Sequence, residues 1–316
     1  MQDNVDESVE TELFDFSVII LTYNSDRKRI RMTLDSVIKQ QGTNFEIIVA
    51  DDGSQCNNEG WLTDYFNRKK FNRYKLVFSS ENKGTVENVI NGLQASCGNY
   101  VKIIGAGDML SDSEVLKEVK HYMDCNGLKA CFGLIQGFVK KKEKLKKAYF
   151  SYPRDIEAYR KRDKQTIARN IIYYTDHVSG AAMFFEKGIL AEYINRIKEY
   201  VVYQEDLVQV LMVLDGIYFE LYDRVCVNYE VGHGLSSPKS EFADLLIKDQ
   251  KTFYEYVYSA YPSDKNVGDR KKLRWTKRIR NIYFRTILRM CCDPYTVVYL
   301  LKYYLQILRR SHFRLN

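Results

Sequence analysis

Proline is scarce in this 316-residue chain, with only four copies. Few rigid linkers are then available, which argues against a string of small modules and for helices and strands packed in one large domain or two modest ones. Cysteine is present seven times (Cys56, Cys97, Cys125, Cys131, Cys226, Cys291, Cys292), but no C-x-x-C pair exists and the number is odd. That spacing excludes a zinc ribbon or a disulfide framework and suits reduced thiols in a cytoplasmic protein. No apolar run reaches the roughly 20 residues needed to span a bilayer. The opening is acidic rather than basic and then apolar, unlike a signal peptide. Two nucleotide-binding signatures are also missing: no G-x-x-x-x-G-K-[ST] occurs, and the first strand is followed by Thr-Tyr-Asn instead of G-x-G-x-x-G.

Each end lacks charge of one sign. The first 15 residues hold six acids and no Lys or Arg, and are expected to be a disordered lead-in. Residues 270–316 hold 13 Lys or Arg and one acid, Asp293, although the whole chain is only +7. Such an asymmetry points to an anionic partner for the tail. Its bases alternate with aromatic and aliphatic residues, as in RKKLRWTKRIRNIYFRTILRM, which is the composition of a helix lying in a membrane interface. The rival reading is a pair of helices packed on the body or on a second subunit in a homo-oligomer. No nucleic-acid-binding module accompanies the charge.

What is present is a regular alternation. Short β-branched runs at 16–21 (FSVIIL), 45–50 (FEIIVA), 74–78 and 100–104 (YVKII) alternate with helical stretches at 27–40, 61–70 and 85–96. Continuous apolar strands between amphipathic helices predict a mostly parallel, doubly wound α/β sheet. Ligands of such sheets lie at the carboxyl ends of the strands. Those ends carry Thr22, Tyr23 and Asn24; then Asp51, Asp52, Gly53 and Ser54; then Asn82, Lys83 and Gly84, followed by Asn88; then Gly105, Ala106, Gly107 and Asp108. Any one loop is weak evidence, since Asp-Gly pairs are first of all turn formers. Four in order on one edge make a site. Farther on, the lysine run 140–147 reads as a solvated hairpin turn, 178–185 (VSGAAMFF) as a strand, 204–214 as a helix with a polar opening, and the chain beyond 240 as helical.

These pieces together resemble the family-2 glycosyltransferases of GT-A fold: IILTYN at 19–24, IIVADDGS at 47–54, ENKG at 81–84 with Asn88, GAGD at 105–108, VSGAAMFF at 178–185 and QED at 204–206. The resemblance covers about residues 16–235, with 236–316 as a helical C-terminal region. It implies an inverting transfer from a nucleoside-diphosphate sugar; the expected donor is a uridine diphosphate sugar, and the expected acceptor a hydroxyl of a glycan or lipid-linked acceptor in surface polysaccharide synthesis. It further implies that Thr22 and Asp51 hold base and ribose, that Asp52 supports their loop, and that Asp108 lies at a Mn²⁺ or Mg²⁺ and diphosphate site. Asp206 would be the catalytic base, with Glu205 its neighbour.

Elementary chemistry agrees with those assignments. Expelling a diphosphate develops negative charge that a hard cation neutralises, and hard cations want carboxylate oxygens. The attacking hydroxyl must lose a proton to a positioned carboxylate. The plain alternative for Glu205 and Asp206 is charge complementing a helix dipole. Gly180 and Ala181 offer small residues for close approach of an acceptor, or ordinary strand packing. His233, in YEVGHGLSS, assists the metal or the diphosphate, or is a loop residue without a role. The fourth loop departs from the family pattern, because glycines at 105 and 107 leave Asp108 as its only carboxylate. The alternative to an enzyme is therefore a GT-A-fold scaffold with little or no activity, recruited to the membrane by its basic tail.

Overall fold

The computed structural model describes residues 13–141, 144–148, 153–232, 242–279 and 281–312. Its centre is a mixed sheet, nine-stranded among these residues, in the order β3-β2-β1-β4-β8-β6-β9-β5 with β7 added on β6. The first four strands are β1 (Phe14–Thr22), β2 (Phe45–Asp51), β3 (Tyr74–Phe78) and β4 (Gly98–Gly105). They run parallel, with Thr22 beside Asp51 and Leu21 beside Gly105 in register. Helices α1 (Arg27–Ile38), α2 (Glu59–Lys69) and α3 (Thr85–Ala95) make the crossovers and cover both faces. Their apolar stripes divide the interior into two clusters. One gathers Val18, Ile20, Leu34 and Phe66; the other gathers Ile19, Ile48, Val89 and Leu93. Successive residues of β1 feed opposite clusters, as the period of a strand requires.

β1 begins at Phe14, inside the segment expected to be a lead-in. The reason is local pairing: the Asp15 amide donates to the Asn44 carbonyl at 2.9 Å, and its carboxylate accepts from Thr43 Oγ1 at 2.9 Å and the Asn44 amide at 3.0 Å. Residues 1–12 lie outside the described residues.

Beyond β4 the short β5 (Met109–Leu110) leads to α4 (Val115–Asn126) and to the hairpin β6 (Ala130–Lys141) and β7 (Lys144–Ala148). Lys141 pairs with Lys144 across it, as the lysine run suggests. Two short helices, α5 (Ile156–Arg160) and α6 (Lys164–Ile172), follow. The segment 178–185 is not a strand throughout: Gly180–Ala182 form a 3₁₀ turn and only Met183–Glu186 make β8, antiparallel to β4. After α7 (Lys187–Ile197), another 3₁₀ turn at Glu205–Leu207 precedes α8 (Val208–Leu214) and the long β9 (Glu220–Glu230).

The C-terminal helices are α9 (Ala243–Ala260), α10 (Lys265–Lys272), α11 (Ile282–Cys292) and α12 (Pro294–His312). Phe253, Tyr254, Val257 and Tyr258 of α9 join the same cluster as Ile19 and Val89. Each such side chain contributes about 1.5–3 kcal/mol on burial, so α9 is an integral part of the body. Among the described residues no helix is long and apolar enough to cross a membrane.

Candidate active site

The parallel register brings the polar loops together at one edge, where backbone bonds stitch them: Asp52 N–H donates to the Thr22 carbonyl at 3.0 Å, and Ala106 N–H to the Leu21 carbonyl at 3.1 Å. Asp51 is the hub of the first two loops and is buried. Thr22 Oγ1 and Ser54 Oγ both donate to its Oδ2 at 2.7 Å, and the Ser54 amide donates to Oδ1 at 2.7 Å. A carboxylate has about four lone-pair positions, so Asp51 keeps acceptor capacity on Oδ1. Asn24, at a φ of +47°, ties the loops together instead of projecting outward: its amide donates to Ser54 Oγ and its Oδ1 accepts from the Gln55 amide. Tyr23 presents an exposed ring at the rim.

Asp52 faces the third loop. Its two oxygens accept the Lys83 and Gly84 amides at 2.8 and 2.9 Å, capping the start of α3 with negative charge. Asn82 Oδ1 accepts the same Gly84 amide at 3.0 Å. Asn88 reaches back with Nδ2 to the Ala50 carbonyl at 3.0 Å, while its buried Oδ1 has no partner. Gly84 has φ +95°, and a Cβ there would strike the Val202 side chain and approach its carbonyl to 2.6 Å. That close approach lets Val202 accept from Val86 N–H and sets the following residues against α3.

Those following residues are the acidic pair. Glu205 and Asp206 sit on the 3₁₀ turn before α8, and a Cβ on Gly180 would lie 2.9 Å from Glu205 Oε1, so the two predicted small and acidic groups are in contact. Desolvation raises both carboxyls above the usual carboxylate range, and Glu205 further because Asp206 is beside it. The Asp206 side chain remains 27% exposed, open enough to be reached from solvent. Ala181 turns its carbonyl to the Nζ of Lys102, which also donates to the Met183 carbonyl at 3.2 Å. Lys102 is fully buried on β4 over the Phe184 ring, and burial lowers it to about 7.

Asp108 stands apart from this pair, at the β5–β9 side. Its Oδ1 accepts the Glu230 amide at 2.9 Å, and its backbone carbonyl accepts from Thr33 Oγ1 at 2.6 Å. Desolvation pushes its carboxyl up to about 7, against the lowering effects of the Glu230 amide, Arg29 and Lys102. Glu230 itself is held by Arg29 Nε at 2.8 Å. Among the described residues no group of three or more His, Cys, Asp and Glu converges to hold a metal. A cation at Asp108 would find one protein oxygen, Oδ2, which lies 3.8 Å from where a Gly105 Cβ would be. Diphosphate and water would supply the remaining oxygens. His233 lies outside the described residues.

Two residues near the acidic pair gave no signal as site residues in the sequence. Gln209 on α8 clamps Val178 by two bonds, to its carbonyl at 2.7 Å and from its amide at 2.9 Å, and this sets His177 Nδ1 4.0 Å from Asp206 Oδ2. Burial, with Arg270 adding repulsion, lowers His177 to about 4, so the contact is between a carboxyl and a neutral ring. Asp249 on α9 accepts the amides of Val202, Tyr203 and Gln204 on its Oδ2, at 3.1, 2.6 and 3.2 Å. A buried acid in an amphipathic helix looks like any solvated charge.

A parallel-sheet edge with an Asp-centred loop pair, a carboxylate after the fourth strand and a half-buried acidic pair fits a GT-A-type glycosyltransferase. The chain belongs to glycosyl transferase family 2, whose family model matches residues 17–215. It is similar to Glycosyltransferase GlyG of Streptococcus pneumoniae serotype 4 (strain ATCC BAA-334 / TIGR4), 31% identical over 100 residues, which are 31% of this chain and 32% of that protein. The chain thus spans about a third of the curated relative it matches. Two crystal structures of S. aureus TarS share the fold. The 1–349 fragment in complex with UDP-GlcNAc has a TM-score of 0.50 at 16% identity, covering 86% of this chain and 78% of that one. A second TarS structure has 0.51 at 17%, covering 92% and 54%.

Proposed function

We propose that the protein transfers a sugar, with inversion, from a uridine diphosphate sugar to a hydroxyl of a glycan or lipid-linked acceptor in surface polysaccharide synthesis. The observation that carries this reading is the continuity of the edge: Asp51 organises the first two loops, Asp52 caps α3, and Gly84 seats the Val202 segment that leads into Glu205 and Asp206. The TarS fragment that shares the fold is in complex with UDP-GlcNAc, which supports the donor class.

On this reading Thr22, Tyr23, Asn24 and Asp51 receive the base and ribose, while Asp52, Asn82, Gly84 and Asn88 shape the cradle. The Gly180–Ala181 turn admits the acceptor beside Glu205. Asp206 takes the proton of the acceptor hydroxyl as that oxygen bonds to the anomeric carbon, and the bond to the diphosphate breaks with its electron pair leaving on oxygen. A Mn²⁺ or Mg²⁺ ion held by Asp108 would supply neutralisation of that leaving charge. Two adjacent, half-buried carboxyls of raised proton affinity, one open to solvent, favour a catalytic role over a scaffold without activity.

Thermal unfolding with uridine diphosphate, with and without Mn²⁺, tests the donor site. A ligand at a hundred times its dissociation constant adds about 2.7 kcal/mol. The parent should gain stability, Asp51→Ala should lose the gain, and Asp108→Ala should lose only its metal-dependent part. A parent that responds to no nucleoside diphosphate overturns the proposal.

A further inference from the structure

The last two described helices leave an apolar face uncovered. α11 presents Tyr283, Phe284 and Ile287, and α12 presents Val298, Leu301 and Leu305, each more than half exposed. Tyr283 and Phe284 each stand three or four residues from Ile287, and Val298, Leu301 and Leu305 follow at three and four, the spacing of one helix face. Single exposed apolar side chains are ordinary, but rows of them on adjoining helices are not.

This face is not what fastens the helices to the body. The opposite side of α12 does that: Tyr299 is buried and stacks on Tyr174 at 4.1 Å, Asp293 accepts from Arg169 at 2.9 Å, and Lys302 pairs with Asp155 at 3.2 Å. Tyr295, on the anchoring side, packs its ring on Arg169 at 5.1 Å, whereas Val298, Leu301 and Leu305 face away from these contacts. α12 is also attached to Tyr174, only a few residues before His177 and the Gly180 turn.

Charge chooses the occupant. Residues 270–316 carry 13 bases against Asp293; Asp293 is paired with Arg169, and Lys272, Arg274 and Lys302 are paired with Asp269, Glu255 and Asp155, which still leaves the tail strongly positive. A second copy of the chain would bring the same excess of positive charge against it, whereas an anionic leaflet would neutralise it. Trp275, half exposed, together with the exposed tyrosines, supplies rings suited to the headgroup zone. With no described helix able to cross a bilayer, the geometry is that of helices lying on the surface.

We propose that α11 and α12 form a docking surface for an anionic lipid bilayer, entering it with their outward apolar rows and holding it with the surrounding bases. Docking fixes the acceptor side of the active site relative to the membrane. The proposal does not depend on the donor sugar.

The test is co-sedimentation of the full chain with phosphatidylcholine vesicles and with vesicles that also contain phosphatidylglycerol. The parent should bind the anionic vesicles at least about tenfold more strongly, an advantage that falls as salt rises. The double variant Ile287→Glu, Leu301→Glu should lose about tenfold or more of that binding, with its melting temperature and its response to uridine diphosphate unchanged, because both side chains are exposed. Lys271→Glu with Lys272→Glu should weaken binding and flatten its salt dependence. Equal binding to both vesicles, or to neither, overturns the proposal. So does a lipid-free dimer, seen by light scattering, that the double glutamate variant dissociates, since the face would then be covered by a second copy. The uridine diphosphate response of the same variants separates failure here from failure of the donor site.

Discussion

At the scale of single residues, the acidic pair shows how position changes chemistry. Burial lifts the proton affinity of Asp206, and the neighbouring Glu205 is lifted further by the charge beside it. A base acts only when ionised, so turnover falls as pH drops through the raised value. The acid limb of kcat should therefore lie above the ordinary carboxylate value of about 4. Asp206→Asn should lower kcat by about 10²–10⁴ and leave uridine diphosphate affinity unchanged. An acid limb at the ordinary value, or full turnover in that variant, would remove Asp206 from the role. Thr22, Asp51 and Asp52 could be picked out of the sequence because polar residues directly after apolar runs mark strand ends, and Asp206 because the resemblance at residues 204–206 points to it. Their pairing could not: Ser54 answers Asp51, and Asn24 and Asn82 spend their side chains on the loops themselves.

Between elements, Gly84 and Asp249 hold the acidic turn from opposite sides. Gly84→Ala places a Cβ in a left-handed conformation against Val202. Equilibrium denaturation should show a loss of about 1–3 kcal/mol, and an unchanged midpoint would mean that the Val202 segment yields. Asp249→Ala removes the acceptor of three amides, each bond to a charged group being worth about 1.5–3 kcal/mol. Its kcat should fall more than its KM changes, and Asp249→Asn, which keeps an oxygen acceptor, should recover part of the loss. Equal recovery of nothing by Asn would point to a purely electrostatic role for the carboxylate. The expected strand at 178–185 contracts to Met183–Glu186 for a related reason. Gly180 and Ala181 turn instead, beside Glu205, and the buried Lys102 takes the carbonyls of Ala181 and Met183.

For the whole molecule, the C-terminal helices depend on a few polar anchors. Asp293 gathers Arg169, Tyr174 Oη and Thr296 Oγ1 at 2.9–3.0 Å. Asp293→Ala should loosen α11 and α12 while the sheet stays intact. Hydrogen exchange should rise across 282–305 and remain slow in β1 and β4; unchanged protection in 282–305 would show that the Tyr174–Tyr299 stack holds the helices alone. The family model ends at residue 215, yet α9 supplies both core and the Asp249 acceptor. The part of the chain beyond the family match thus helps to build the site within it.

The sequence by itself determined the parallel βαβ beginning, because continuous apolar strands and amphipathic helices have different periods that can be read locally. It also determined which strand ends carry polar loops, and the uneven charge of the tail. Only the tertiary structure decided that Asp249 and His177 stand around the acidic turn, since contacts between residues tens of positions apart leave no periodic trace. It likewise decided which side of α12 is used for anchoring. Amphipathic spacing marks an apolar row, but whether protein or something else covers it depends on where the helix comes to rest.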